Sequence, residues 1–203
     1  MKKGEYNSNT RGFTIIEVAL VIAIAGLIFL MVFVALPGLR ASQRDAERRE
    51  DVVMFLENVK KYQTNNRGAL PGADEVATLD RGNTVSVEWP VNDSVKDTSW
   101  AGFYKKYLGT DFVDPNGEYY KLLVTACDSQ ADTDCVNETT SKNMKLNSIY
   151  SSTFPNDYTM YVVTQAACMG DRAVGTSNPR KLAVLYKLEG AGIYCANLEK
   201  IPP

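Results

Sequence analysis

Histidine is absent from all 203 residues, and that removes whole classes of chemistry. No Ser-His-Asp or Cys-His pair can form, no imidazole can serve as a general base, and no histidine-ligated metal site can exist. No two cysteines stand as C-x-x-C, the usual knuckle of zinc and thioredoxin-like sites. Bulk charge is nearly balanced: 22 Lys and Arg against 24 Asp and Glu leave −2. Net electrostatics therefore offers nothing for nucleic-acid binding. There is no Gly-rich phosphate loop and no convincing carboxylate pair. Together these gaps argue against an enzyme and against a specific nucleic-acid partner.

What is present is uneven. The first twelve residues are polar, with Lys2, Lys3 and Arg11 outweighing Glu5. This piece carries +2, so its removal takes the chain from −2 to −4. From Val18 to Leu39 runs a stretch of 22 residues with no ionisable side chain. At ~1.5 Å per residue, ~20 apolar residues cross a hydrocarbon core. Positive charge before the span and the bulk of the chain after it put the N-terminus in the cytoplasm. A secretory signal peptide fits poorly, because its apolar region is ~7–15 residues and ends at a small-residue cut site. An ordinary single-pass anchor fits the span but leaves Glu17 unexplained. A carboxylate in the apolar segment's first turn costs roughly 3 kcal/mol on insertion scales. Cutting between Gly12 and Phe13 would free a cationic α-amino group four residues away, and that amine is a natural partner for Glu17, within the chain or between chains.

Gly12-Phe13-Thr14-Ile15-Ile16-Glu17-Val18 resembles the processing site of class III signal sequences in type IV pilins, pseudopilins and competence pilins. The resemblance implies cleavage after Gly12 by a prepilin peptidase, N-methylation of Phe13, and a role for Glu17 in assembly. It implies as partners copies of the chain and other pilins in a filament, an inner-membrane assembly platform, and membrane lipid before assembly. It implies a single-pass precursor in the cytoplasmic membrane and an extracellular filament afterwards. One departure matters. Many members carry a proline near the middle of the apolar segment, whereas here Pro37 lies near its end, with Gly26 mid-span. Pro37 should kink the helix or divide it in two at Pro37-Gly38. Local melting on assembly is expected between Gly26 and Gly38.

Arg40 to Asp51 is dense in both signs and reads as a solvated helical face, with an inter-subunit salt-bridge belt as the alternative. Val52, Phe55, Leu56, Val59 and Tyr62 then recur at helical spacing, an amphipathic stripe that should dock on a domain. Gly68 is the expected stop. A helix from residue 13 to 66 would be about 80 Å long at ~1.5 Å per residue.

Beyond it, Val85–Trp89 alternates like a strand ended by Pro90, and Ser99–Leu108 suits a short aromatic-rich helix. Asp114-Pro115-Asn116-Gly117 reads as a turn into a strand at Tyr119–Ala126. It also resembles the D-P-x-G stretch of pseudopilins. The oxygens of Asp111, Asp114, Asn116 and Glu118, and those of Asp128, Asp132 and Asp134, raise calcium as a competing idea. Neither set has EF-hand spacing, and no metal or other cofactor is expected. Tyr158–Thr164 is a strand leading to Cys168, and Lys181–Leu188 with Ile193–Leu198 form a hairpin. Lys105, Lys106, Arg180 and Lys181 are surface cations. The fold class is α+β: a long N-terminal helix, half membrane-spanning and half amphipathic, on a small antiparallel sheet, as in the type IV pilin fold. The divisions are a leader at 1–12, a helix at 13–66 with its span at about 18–39, and a head at 67–203.

Cys127, Cys135, Cys168 and Cys195 all follow the membrane segment, an even number that suits disulfides in an oxidising exterior. Four cysteines permit three pairings. Cys127 with Cys135 and Cys168 with Cys195 are favoured. The first closes a small loop, and the second ties two strands in a loop worth ~3 kcal/mol. Function is then expected to be structural: a subunit of a type IV pilus or pilus-like filament. A pseudopilin of a type II secretion system is the nearest alternative. A single-pass membrane-anchored binding module is the alternative from another class.

Overall fold

The computed structural model describes residues 12–73, 85–127, 135, 158–190 and 192–199. The chain falls into two compact units, residues 1–41 and 42–203.

Helix α1 runs from Ile15 to Asn65. It passes through Pro37 without a break in the helical assignment, so the expected division into two helices at Pro37-Gly38 does not occur. The lost donor is one of many along a helix of 51 residues, and Ala35 and Leu36 before it and Leu39, Arg40 and Ala41 after Gly38 are good helix formers. The helix ends as a Schellman turn. The Gly68 N–H donates to the Gln63 carbonyl at 2.7 Å. Both Arg67 (φ 55°) and Gly68 (φ 82°) are left-handed, so the stop needs one non-glycine residue in that region besides the expected glycine.

In the second unit, residues 45, 48, 52, 55, 56, 59 and 62 of α1 form its buried stripe. Their three- and four-residue spacing is that of one helical face. The stripe lies against a five-stranded sheet in the order β1-β2-β3-β6-β7. Its strands are β1 (Val85–Val87), β2 (Lys121–Ala126), β3 (Thr159–Thr164), β6 (Leu182–Lys187) and β7 (Ile193–Asn197). All neighbours pair antiparallel except β2 and β3, which are parallel from Lys121 opposite Thr159 onwards. The expected antiparallel sheet is present, and this parallel pair is the exception within it. A parallel neighbour needs a crossover of about a dozen residues or more, and the chain from 127 to 158 is long enough to supply it.

The central strands are apolar on both faces, as strands covered on both sides must be. Leu122, Val124, Met160, Val162, Leu182 and Val184 face the helix side. Tyr161, Val163, Ala183 and Leu185 face a second cluster. That cluster is closed by a hairpin absent from the sequence reading, β4 (Ala166–Met169) with β5 (Arg172–Gly175). The strand expected at Tyr158–Thr164 is β3, which ends before Gln165 turns left-handed (φ 57°), and Cys168 falls on β4. The short helix α2 (Trp100–Phe103) is capped by Ser99, whose hydroxyl accepts from the Gly102 N–H at 2.9 Å. It continues as a π-turn at Tyr104–Leu108. Gly102 is fixed by space: a Cβ there would lie 2.2 Å from the Lys96 carbonyl oxygen. Phe55 meets Trp100, Phe103 and Phe112 in this aromatic layer.

Candidate processing and assembly site

The N-terminal site is built from Gly12 to Glu17. Thr14 is the first residue to turn into the helix, and Glu17 stands three residues on. The Thr14 hydroxyl accepts from the Glu17 N–H at 3.3 Å. The Glu17 carboxylate in return accepts from the Thr14 N–H at 3.3 Å and the Thr14 hydroxyl at 3.4 Å. This is a capping box, T-x-x-E, in which two otherwise unpaired donors are satisfied reciprocally. Glu17 is therefore not without a partner before Phe13 is freed, which corrects the sequence reading. Thr14-Ile15-Ile16-Glu17 carries the T-x-x-E signature of the box in consecutive residues. Immediately before the box, Gly12 and Phe13 are extended and exposed, Phe13 at 86%. From there to Leu39 the large apolar side chains stand outward on every face of the helix, with Ile15 at 91% and Leu39 at 60%. The helix is long and apolar enough to cross a membrane.

A second constellation lies in the other unit, where the sequence suggested a solvated face or an inter-subunit salt-bridge belt. Arg48 is fully buried. Its Nε and Nη2 donate to the two oxygens of Asp114 at 2.7 and 3.3 Å. Its Nη1 donates to Glu189 at 2.7 Å and to Asp45 at 3.4 Å. Arg44 grips Glu189 with two more bonds, at 2.8 and 2.5 Å. Asp45 accepts the backbone N–H groups of Glu189 and Gly190, at 2.9 and 3.0 Å. The Tyr186 hydroxyl donates to Asp114 at 3.1 Å, and the Tyr120 hydroxyl donates to Asp51 at 2.6 Å. These contacts tie α1 to the Asp114 turn and to the β6–β7 turn.

The electrostatics follow from that geometry. Burial opposes the Arg48 charge, but the Asp114 hydrogen bond, with Tyr186 and Glu189, leaves its pKa raised. The Arg44 hydrogen bond, helped by Arg48 against burial, holds Glu189 down at about 2. Asp51 goes the other way: burial raises it, and the Tyr120 hydrogen bond only partly offsets this. Burial and donation to Asp51 push the Tyr120 phenol up.

The remaining sequence candidates divide. Asp114 forms the expected turn, accepting the Gly117 N–H at its carbonyl and the Asn116 N–H at its carboxylate. That carboxylate is buried and engaged by Arg48 and Tyr186. Among the described residues no group of three or more Cys, Asp or Glu side chains could hold a metal ion. Asp128, Asp132 and Asp134, and the leader before Gly12, lie outside the described residues. Cys127 is bonded to Cys135 and Cys168 to Cys195, with Cα separations of 5.1 and 5.8 Å. The surface cations Lys105, Lys106 and Lys181 pair with Asp93, Asp97 and Glu199.

The capped helix that follows the exposed Gly12-Phe13 step has the length and composition of a membrane span. Residues 7–33 match the family model of the prokaryotic N-terminal methylation motif. The chain thus carries the class III signal typical of type IV pilins and pseudopilins, and with it the mark of a prepilin peptidase substrate. The match covers this N-terminal segment. No curated protein and no solved structure matches the chain.

Proposed function

We propose that the chain is a structural subunit of a type IV pilus or related filament. A prepilin peptidase cuts it after Gly12, Phe13 is methylated, and the apolar helix then becomes the subunit's contact with its neighbours. The observation that carries this reading is the coincidence of the methylation motif at 7–33 with an N-terminal half of α1 whose large apolar side chains are turned outward. Such a surface has to be covered, first by lipid and then by other copies. Glu17 keeps its cap bonds to Thr14 and adds the Phe13 ammonium of its own or a neighbouring chain. The two bridged disulfides suit an exterior head. No catalytic role is assigned to any residue.

The test is chemical. Surface filaments sheared from cells should yield a chain that starts at methylated Phe13. In a host lacking the peptidase, the chain should keep Met1 and form no filament. A mature chain in the envelope that still begins at Met1 would refute the reading and favour an anchored binding module. Finding the cut chain only in a short periplasmic assembly that needs a secretion system would favour the pseudopilin role.

A further inference from the structure

The charged residues of α1 beyond Ser42 fall into two sets. One set is used within the chain: Arg44, Asp45 and Arg48 in the ionic cluster, Asp51 with Tyr120, and Arg49 over the Tyr194 ring. The other set, Glu47, Glu50, Glu57, Lys60 and Lys61, is exposed and has no side-chain partner among the described residues. Arg67, just past the helix end, belongs with it. A cation there ordinarily caps the last carbonyls, but that work is done by others. The Thr64 hydroxyl takes the Lys60 carbonyl, the Asn66 amide takes that of Tyr62, and Gly68 takes that of Gln63.

The exposed set is polarised, acids first and cations after. Its spacing also repeats, since Glu50 and Glu57 stand seven residues apart, as do Lys60 and Arg67. We propose that this face is a contact between neighbouring copies of the chain, parallel and offset by ten residues. Glu50 and Glu57 of one copy then meet Lys60 and Arg67 of the next. The offset corresponds to about 15 Å along the axis at ~1.5 Å per residue. The inference rests on the filament reading above, which makes neighbours parallel because every copy leaves the membrane with the same orientation. The two surfaces are different patches, so the contact is head-to-tail, and the axial offset keeps it from closing into a ring, as a growing filament requires.

Charge reversal tests it in the full chain. Glu50→Lys with Glu57→Lys, and separately Lys60→Glu with Arg67→Glu, should each lower sheared filament severalfold while cleavage after Gly12 stays normal. Combining all four should restore most of the yield. Glu47→Lys is the discriminating control. At this offset Glu47 faces Glu57 of the next copy, so its reversal should leave yield unchanged or raise it. A second readout does not depend on yield. The native cysteines are all bridged, so a Glu50→Cys, Lys60→Cys variant carries the only free thiols. Oxidation of its filaments should give a ladder of covalent oligomers, and either single cysteine should give monomer. Parent-level filaments from both reversed pairs, or no ladder from the double-cysteine filaments, would overturn the proposal. A parent chain that is never cut and never forms filaments would instead overturn the filament reading.

Discussion

Replacing Arg48 with methionine tests whether the ionic cluster holds the head to its helix. Methionine keeps much of the arginine's length but none of its donors. The Arg48 and Asp114 side chains are both fully inaccessible, so the change strands a buried carboxylate that, among the described residues, keeps Tyr186 and the Asn116 N–H. Removing one partner of a buried pair costs about 3–5 kcal/mol. For a chain of this size that corresponds to roughly 6–20 °C in melting temperature. Urea unfolding of the full chain in detergent micelles, followed by tryptophan emission, measures it, because Trp100 is buried against Phe55. The slope of stability against urea should be unchanged. Adding Asp114→Asn should recover a large part of the loss, since the stranded charge is gone. If Arg48→Met stays within ~1 kcal/mol of the parent, or the double variant loses the sum of the two single losses, the cluster is not coupled and the reasoning fails.

The pH dependence has two opposed parts. Glu189 is lowered from 4.5 to about 2, so its contribution is present above 4.5 and lost as pH falls towards 2. Solvent access limits it to ~1–2 kcal/mol, and Glu189→Gln should remove that acid loss from a melting series. Asp51 is raised, so its contribution is present in acid and lost as pH rises through its folded value. Asp51→Asn should therefore raise stability at neutral pH, and no change or a loss there would refute the assignment. Gly102→Ala drives a methyl into the Lys96 carbonyl and should cost about 1–3 kcal/mol or more by thermal unfolding. Replacing Cys168 and Cys195 together by serine opens a bridge of sequence separation 27 and should cost ~3 kcal/mol under non-reducing denaturation. Glu17→Gln keeps the capping box and removes the charge. It should be cut normally and assemble poorly by yield of sheared filament; normal filaments would reduce Glu17 to a cap.

The legible parts of the chain were those written in consecutive residues. The Gly12-Phe13 step, the apolar span, the Val52-to-Tyr62 stripe and the β6–β7 hairpin each announce themselves within a short window. The parts that escaped are long-range. Arg48 meets partners 66 and 141 positions away, and its burial contradicts the habit of treating charge as surface. A signal did exist. Stepping back from Val52 by four and seven residues lands on Arg48 and Asp45, so the buried stripe continues through two charged positions. What no local pattern supplied was the pair of complements, Asp114 in a turn and Glu189 in another. The parallel β2–β3 pairing escaped for the same reason, since register across a crossover leaves no mark on either strand.

Glu17 shows how the two kinds of information combine. From sequence it was an acid in an apolar span, costly unless paired. The structure supplies a pair, but a weak one: a neutral hydroxyl and one N–H, at 3.3–3.4 Å. Cap bonds are worth ~1 kcal/mol, less than the roughly 3 kcal/mol a carboxylate costs at the centre of a membrane span. The local partner therefore does not account for a charged residue where glutamine would cap as well. On the proposed function, cleavage before Phe13 supplies the complement, a cationic α-amino group four residues before Glu17. On that reading the capping box holds the carboxylate beside the helix start, where the freed amine would meet it.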